Sequence, residues 1–175
     1  MKTSSAYTIQ FVGLSNGIHY FDFEADKEFF NLIHSELISC GDVAVKLELE
    51  KNNHTLTLQF HFEGTVDTLC DRCANDYAYP ISGNSRLIVK TAGEEYEEQD
   101  EIITLPKGSF EIDLSQFIFD SIALAMPLKI VPCEILDDQN ICDQDVIKRI
   151  NEINTSAEDE TVIDPRWAKL NQIKK

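Results

Sequence analysis

Two neighbouring stretches, GDVAVKLELE and HTLTLQFHFEG, alternate apolar and polar residues without a break. In the first, Val43, Val45, Leu47 and Leu49 fall on one side, while Ala44, Lys46, Glu48 and Glu50 fall on the other. In the second, Leu56, Leu58, Phe60 and Phe62 make the apolar side. Successive side chains of a strand point to opposite faces, so a period of two means strands buried on one face and wet on the other. Between them lies KNNH, where Asn52 and Asn53 tolerate the left-handed conformation of a tight two-residue turn. The two strands therefore form a hairpin, and its apolar face needs a cover.

The flanking sequence supplies more sheet and the cover. Tyr7, Ile9 and Phe11 alternate with Thr8, Gln10 and Val12, and IHYFDFEA alternates again after the turn signal SNG. Asp26 opens a short helix, DKEFFNLIH, with Phe29, Phe30 and Ile33 on one side. NDYAYPISGNSRLIVKTA reads as strand with Leu87 and Val89 buried together, and a short strand is expected around Glu101 to Leu105. The acidic run EEYEEQDE, Glu94 to Glu101, reads as a solvated loop. A helix is expected from Asp113, with Gln116 reaching back to close a capping box and Pro127 ending it. Its stripe of Leu114, Phe117, Ile118, Ile122 and Ala125 suits the open face of the hairpin. DQDVIKRIN is a shorter helix.

The expected fold is α+β: a twisted antiparallel sheet covered by one main helix, with a C-terminal helical tail. The expected organisation is a domain over residues 1–152, a polar linker over 153–163 and a basic tail over 164–175. The tail, IDPRWAKLNQIKK, has Asp164 as cap, Pro165 in the first turn and lysines in the last. With 175 residues the chain is long enough to bury a core without a staple. The start, MKTSSAYTIQFVGL, lacks the apolar run and cleavage site of a secretory leader, and the longest apolar stretch, FIFDSIALAMPL, is interrupted by Asp120. A cytoplasmic location is expected, where five cysteines argue for ligands or core over disulfides.

Net charge is −16, which disfavours a general nucleic-acid binder and favours basic partners. Much of the positive charge lies late in the chain, at Lys148, Arg149, Arg166, Lys169, Lys174 and Lys175. Trp167, the only tryptophan, is either an anchor for the last helix or an interface hot spot beside Arg166. Arg166, Trp167, Lys169, Lys174 and Lys175 are the candidate partner-binding residues.

Chemistry concentrates in CDRC. Cys70 and Cys73 have the spacing of a metal knuckle, and a tetrahedral zinc site needs four ligands. The later cysteines, Cys133 and Cys142, have eight residues between them, which is loose for a second knuckle. The plainer alternative is that Cys70 and Cys73 shape a turn while Cys133 and Cys142 pack. A redox dithiol would sit at a helix N-terminus, whereas this pair lies between two strands. Cys40 reads as a small buried hydrophobe. No histidine has a partner at triad or ligand spacing, and no phosphate-cradling loop or nucleophile elbow is present, so no catalytic residue is expected.

Taken in order, FEGTVDTLCDRC, the acidic stretch, IDLSQFI, AMPL and DPRWAKL resemble the YceD family of large ribosomal RNA subunit accumulation proteins, in the variety found in the Bacteroidetes lineage. The resemblance spans about Phe21 to Lys169. It implies a non-enzymatic accessory factor supporting accumulation or processing of large-subunit ribosomal RNA. The partners it implies are basic ribosomal proteins, the large-subunit RNA precursor, or both, with no membrane and no small-molecule substrate. By position, Cys70 and Cys73 match the first cysteine pair, and Cys133 and Cys142 fall where many relatives carry a fuller knuckle, reduced here to VPCEILDDQNICD. The implied cofactor is one structural zinc. The alternative is a zinc-stabilised interaction module without a ribosomal role.

Overall fold

The computed structural model describes residues 4–34, 37, 38, 40–93, 97–99, 101–135 and 141–158. The chain divides into two compact units, one within Met1–Leu69 and Asp76–Lys129, the other within Cys70–Asn75 and Ile130–Lys175.

The larger unit is built on a six-stranded sheet. β1 (Thr8–Gln10) is followed by β2 (Gly17–Ala25), helix α1 (Lys27–Ile33), β3 (Gly41–Asn52), β4 (Thr55–Leu69) and β5 (Asp76–Gly93). β6 (Glu97–Gln99), β7 (Ile102–Pro106), β8 (Glu111–Asp113) and helix α2 (Ser115–Ala125) complete it. The strand order is β2-β3-β4-β5-β7-β6, and β1 pairs with β8 in a separate two-stranded sheet. The fold is α+β as expected, but the sheet is mixed, because β7 inserts between β5 and β6 and runs parallel to β5. Parallel pairing rests on a crossover, which local alternation does not encode.

The hairpin forms in the expected register, with Val45 opposite Phe62, Leu47 opposite Phe60 and Leu49 opposite Leu58. All six of these side chains are buried. Of the two asparagines proposed for the turn, Asn53 alone is left-handed (φ 45°). Its backbone N–H donates to Asn16 Oδ1, and Asn16 Nδ2 donates to Asn53 Oδ1. Both helices of this unit join the core on the inner face. Asp26 caps α1, accepting from the Phe29 N–H at 3.0 Å, and Phe29 and Phe30 are buried. From α2, the Phe117 ring lies 5.0 Å from Phe60 and Ser121 donates to the Ser85 hydroxyl.

Three local expectations are corrected. Asp113 ends β8 instead of capping α2; its Oδ1 accepts from the Ser115 N–H, and Gln116 bonds forward to Asp120. Cross-strand pairing with Thr8 holds Asp113 in the ladder, so the helix starts two residues later. Part of the acidic run is strand: Glu97–Gln99 pair with Ile102–Thr104. Cys40 is only half buried.

In the smaller unit, the loop Cys70–Asn75 is followed in sequence order by α3 (Pro132–Ile135) and α4 (Gln144–Glu158). Asp143 Oδ1 accepts from the N–H groups of Asp145 and Val146, which fixes the start of α4 directly after Cys142. α4 extends over the first residues of the stretch read as a linker. The remainder of that stretch and the tail, with Arg166, Trp167, Lys169, Lys174 and Lys175, lie outside the described residues.

Candidate metal centre

Where β4 ends at Leu69 the chain turns through Cys70–Asn75 before β5 begins at Asp76. The turn is closed by the Cys70 N–H donating to the Asn75 carbonyl at 2.9 Å and the Ala74 N–H donating to the Cys70 carbonyl at 2.8 Å. Ala74 is left-handed, with φ 59°. This folds the CxxC segment back on itself and brings Cys70 and Cys73 to one side.

Asp71 then grips the second half of the unit. Its N–H donates to the Ile130 carbonyl at 2.8 Å, and its Oδ2 accepts from the Ile130 N–H at 2.6 Å. Such a reciprocal pair fixes both position and direction of the segment that leads into Val131 and Cys133. Sequence reasoning missed this residue; an aspartate inside CxxC has an acceptor to offer, but its target lies 59 residues away.

Cys70, Cys73, Cys133 and Cys142 are all buried and share one cluster with Val131, flanked by Val146 and Ile147 of α4. The loose spacing of Cys133 and Cys142 is thus bridged by the fold, α3 carrying one and the start of α4 following the other. The sulfurs of Cys70 and Cys142 are 3.8 Å apart, far beyond the roughly 2.05 Å of a disulfide, and all the cysteines are free thiols. The ligand atoms of Cys70, Cys73 and Cys142 lie within 4.8 Å of one another, a grouping that could hold a metal ion. Cys133 shares the buried cluster but falls outside that three-thiol grouping.

The backbone also serves the sulfurs. The Arg72 N–H donates to Cys70 Sγ at 3.4 Å. Burial pushes the Cys73 thiol up, but hydrogen bonds from the Asn75 and Asp143 backbone and from Cys70 and Cys142 outweigh it, and the net shift is down. Cys142 goes the other way, pushed up to about 12 by the hydrogen bond with Cys133, then by burial and its bonds to Cys73 and Cys70. The two thiols are therefore shifted in opposite directions by the hydrogen bonds they share.

The histidines do not contribute. His61 lies exposed on the outer sheet face with Nδ1 2.9 Å from Asn84 Oδ1, and His19 Nε2 lies 2.9 Å from the Ser15 carbonyl oxygen.

An α+β protein with a buried thiol knuckle at the turn between its two longest strands is the class that fold and site define. The model of the family described as Large ribosomal RNA subunit accumulation protein YceD matches residues 58–174, and the chain belongs to that family. The match starts within β4 and takes in all four clustered cysteines. No curated protein and no solved structure matches the chain. Among the described residues, no helix is long and apolar enough to cross a membrane.

Proposed function

We propose that the protein is a non-enzymatic cytoplasmic factor that supports the accumulation or processing of large-subunit ribosomal RNA. The observation that carries this reading is the family match over residues 58–174, two thirds of the chain and including the thiol cluster. Net charge of −16 favours basic ribosomal proteins as the direct partners. Contact with precursor RNA falls to the basic tail, with Arg166, Lys169, Lys174 and Lys175 facing phosphate and Trp167 as the anchor.

The grouping of Cys70, Cys73 and Cys142, with Cys133 in the same buried cluster, supports the reading that these four cysteines hold one structural zinc. Thiolates about 2.3 Å from zinc in a tetrahedron stand roughly 3.8 Å apart, and Cys70 and Cys142 are 3.8 Å apart. A divalent cation would supply the charge that lets all four buried thiols ionise, fastening α3 and α4 to the CxxC turn.

The test is sedimentation of tagged protein with large-subunit precursors, together with the level of mature large-subunit RNA in cells lacking the protein. The expected result is co-migration and a selective fall in large-subunit RNA. Unchanged RNA and no co-migration would leave a zinc-stabilised interaction module without a ribosomal role. Trp167→Ala should weaken binding by about thirtyfold or more, corresponding to about 2 kcal/mol. A sharp fall in melting temperature with binding per folded molecule unchanged would make the tail structural.

A further inference from the structure

The outer face of the large sheet carries a feature that the thiol site does not use. The strand register sets Tyr20, Glu48, Gln59 and Arg86 in one row across β2, β3, β4 and β5. The next row is Asp22, Lys46, His61 and Asn84. Together they line an open concavity of about 640 Å³. Tyr20 is 72% exposed and Ile18, at the near end, 54%. Among the described residues, Asp22, Lys46, Glu48 and Arg86 make no ion pair or side-chain hydrogen bond, so their charges are available.

The flanking rows fix the sign. Glu24 and Glu63 lie beyond one edge of the concavity and Glu50 beyond the other, and Glu101 joins the lining, so carboxylates outnumber the cations Lys46, Arg86 and the more distant Lys90 on this face. The whole chain carries −16. Phosphate would be repelled here, whereas arginine and lysine would be drawn in.

We propose that this concavity is the docking site for a basic, extended segment of a partner protein; the inference rests on the reading that the direct partners are basic ribosomal proteins. Four strands about 4.8 Å apart span roughly 14 Å, which an extended segment crosses in about four to five residues. Tyr20 offers a ring for a guanidinium to stack on. Asp22 and Glu48, on adjacent rows, accept charge-assisted hydrogen bonds from successive basic side chains. Gln59 and Asn84 present amides to the segment's backbone.

The experiment uses the full chain, labelled with nitrogen-15 and titrated with a synthetic ten-residue peptide rich in arginine and lysine, and separately with a ten-nucleotide uridine RNA. The peptide should shift the amides of the two rows, and its affinity should fall at least tenfold in the Asp22→Lys, Glu48→Lys double variant. Tyr20→Ala should also weaken binding, while Arg86→Glu should tighten it, which guards against a variant that merely unfolds. Peptide shifts gathered outside the face, equal affinity in every variant, or tighter binding of the RNA to the two rows would overturn the proposal. Sedimentation separates the two readings. If the wild type co-migrates with large-subunit precursors but the peptide does not bind the two rows, the docking site is wrong and the ribosomal role stands. If the wild type does not co-migrate but the peptide binds the face, the ribosomal role fails and the docking site stands.

Discussion

Replacing Gly64 by alanine should damage the fold out of proportion to one added methyl. Gly64 sits opposite Val43 in the β3–β4 ladder, inside the FEGTV stretch that leads to the thiol turn. A Cβ built there would meet the Asp42 carbonyl and lie 2.6 Å from the Val43 Cα. Carbon atoms rest at about 3.5–4.0 Å, so the strands must part by roughly 1 Å. The obstruction is backbone and no rotamer change can relieve it. Overpacking costs about 1–3 kcal/mol, and a backbone clash within a continuous ladder belongs at the upper end. Urea titration followed by far-ultraviolet circular dichroism reads the loss as a lower midpoint at unchanged slope. Gly13→Ala is the control: a Cβ there meets nothing within 4 Å, so it should be neutral or stabilise by about 0.4–1 kcal/mol. If Gly64→Ala costs under about 0.5 kcal/mol, the close approach of β3 and β4 is not what requires glycine.

Protein purified without chelator should carry about one zinc per chain by elemental analysis; Cys142→Ser and Cys133→Ser should each remove most of it and Cys40→Ser none. Zinc content unaffected by Cys133→Ser would refute the four-thiol set. Leu58→Ala, at a side chain with no exposed surface, should cost about 2–5 kcal/mol in urea titration, and a loss below about 0.5 kcal/mol would show that this face is not core. The Tyr7 phenol, pushed up to about 12 by burial and then by Asp26, Glu24 and Glu28, donates to the Glu24 carbonyl at 2.8 Å. Its folded value lies above the ordinary value of about 10, so its contribution is whole below pH ~10 and lost as pH rises towards about 12. Tyr7→Phe should cost about 1 kcal/mol at neutral pH and flatten that alkaline decline; an unchanged pH profile would place the titration elsewhere. Ala74→Gly relieves a left-handed alanine at φ 59° and should raise the melting temperature of metal-free protein, by about 0.5–1 kcal/mol in stability.

The hairpin was legible residue by residue because burial on one face forces a period of two, and a one-residue slip would turn Val45, Leu47, Leu58 and Phe60 outward. The cap at Asp26 and the stop at Pro127 were legible for the same kind of reason, being short-range hydrogen-bond and ring constraints. Asp113 shows the limit. It has the chemistry of a helix cap, yet its pairing with Thr8 puts it in a strand, a contact 105 residues distant that local sequence cannot display.

The site divides along the same line. The sequence alone determined that Cys70 and Cys73 share a turn between strands, since two intervening residues leave the thiols no other geometry once β4 and β5 pair. It also showed that Cys133 and Cys142 are the only cysteines that follow them. Only the tertiary structure decided that they do join. Eight residues between Cys133 and Cys142 set no distance to CDRC; the Asp71–Ile130 clamp and the capped start of α4 bring both into the cluster. The outer concavity was decided there too. Alternation names the wet residues of each strand, but only strand order and register place Tyr20, Glu48, Gln59 and Arg86 in one row, because those are relations between strands and no single strand contains them.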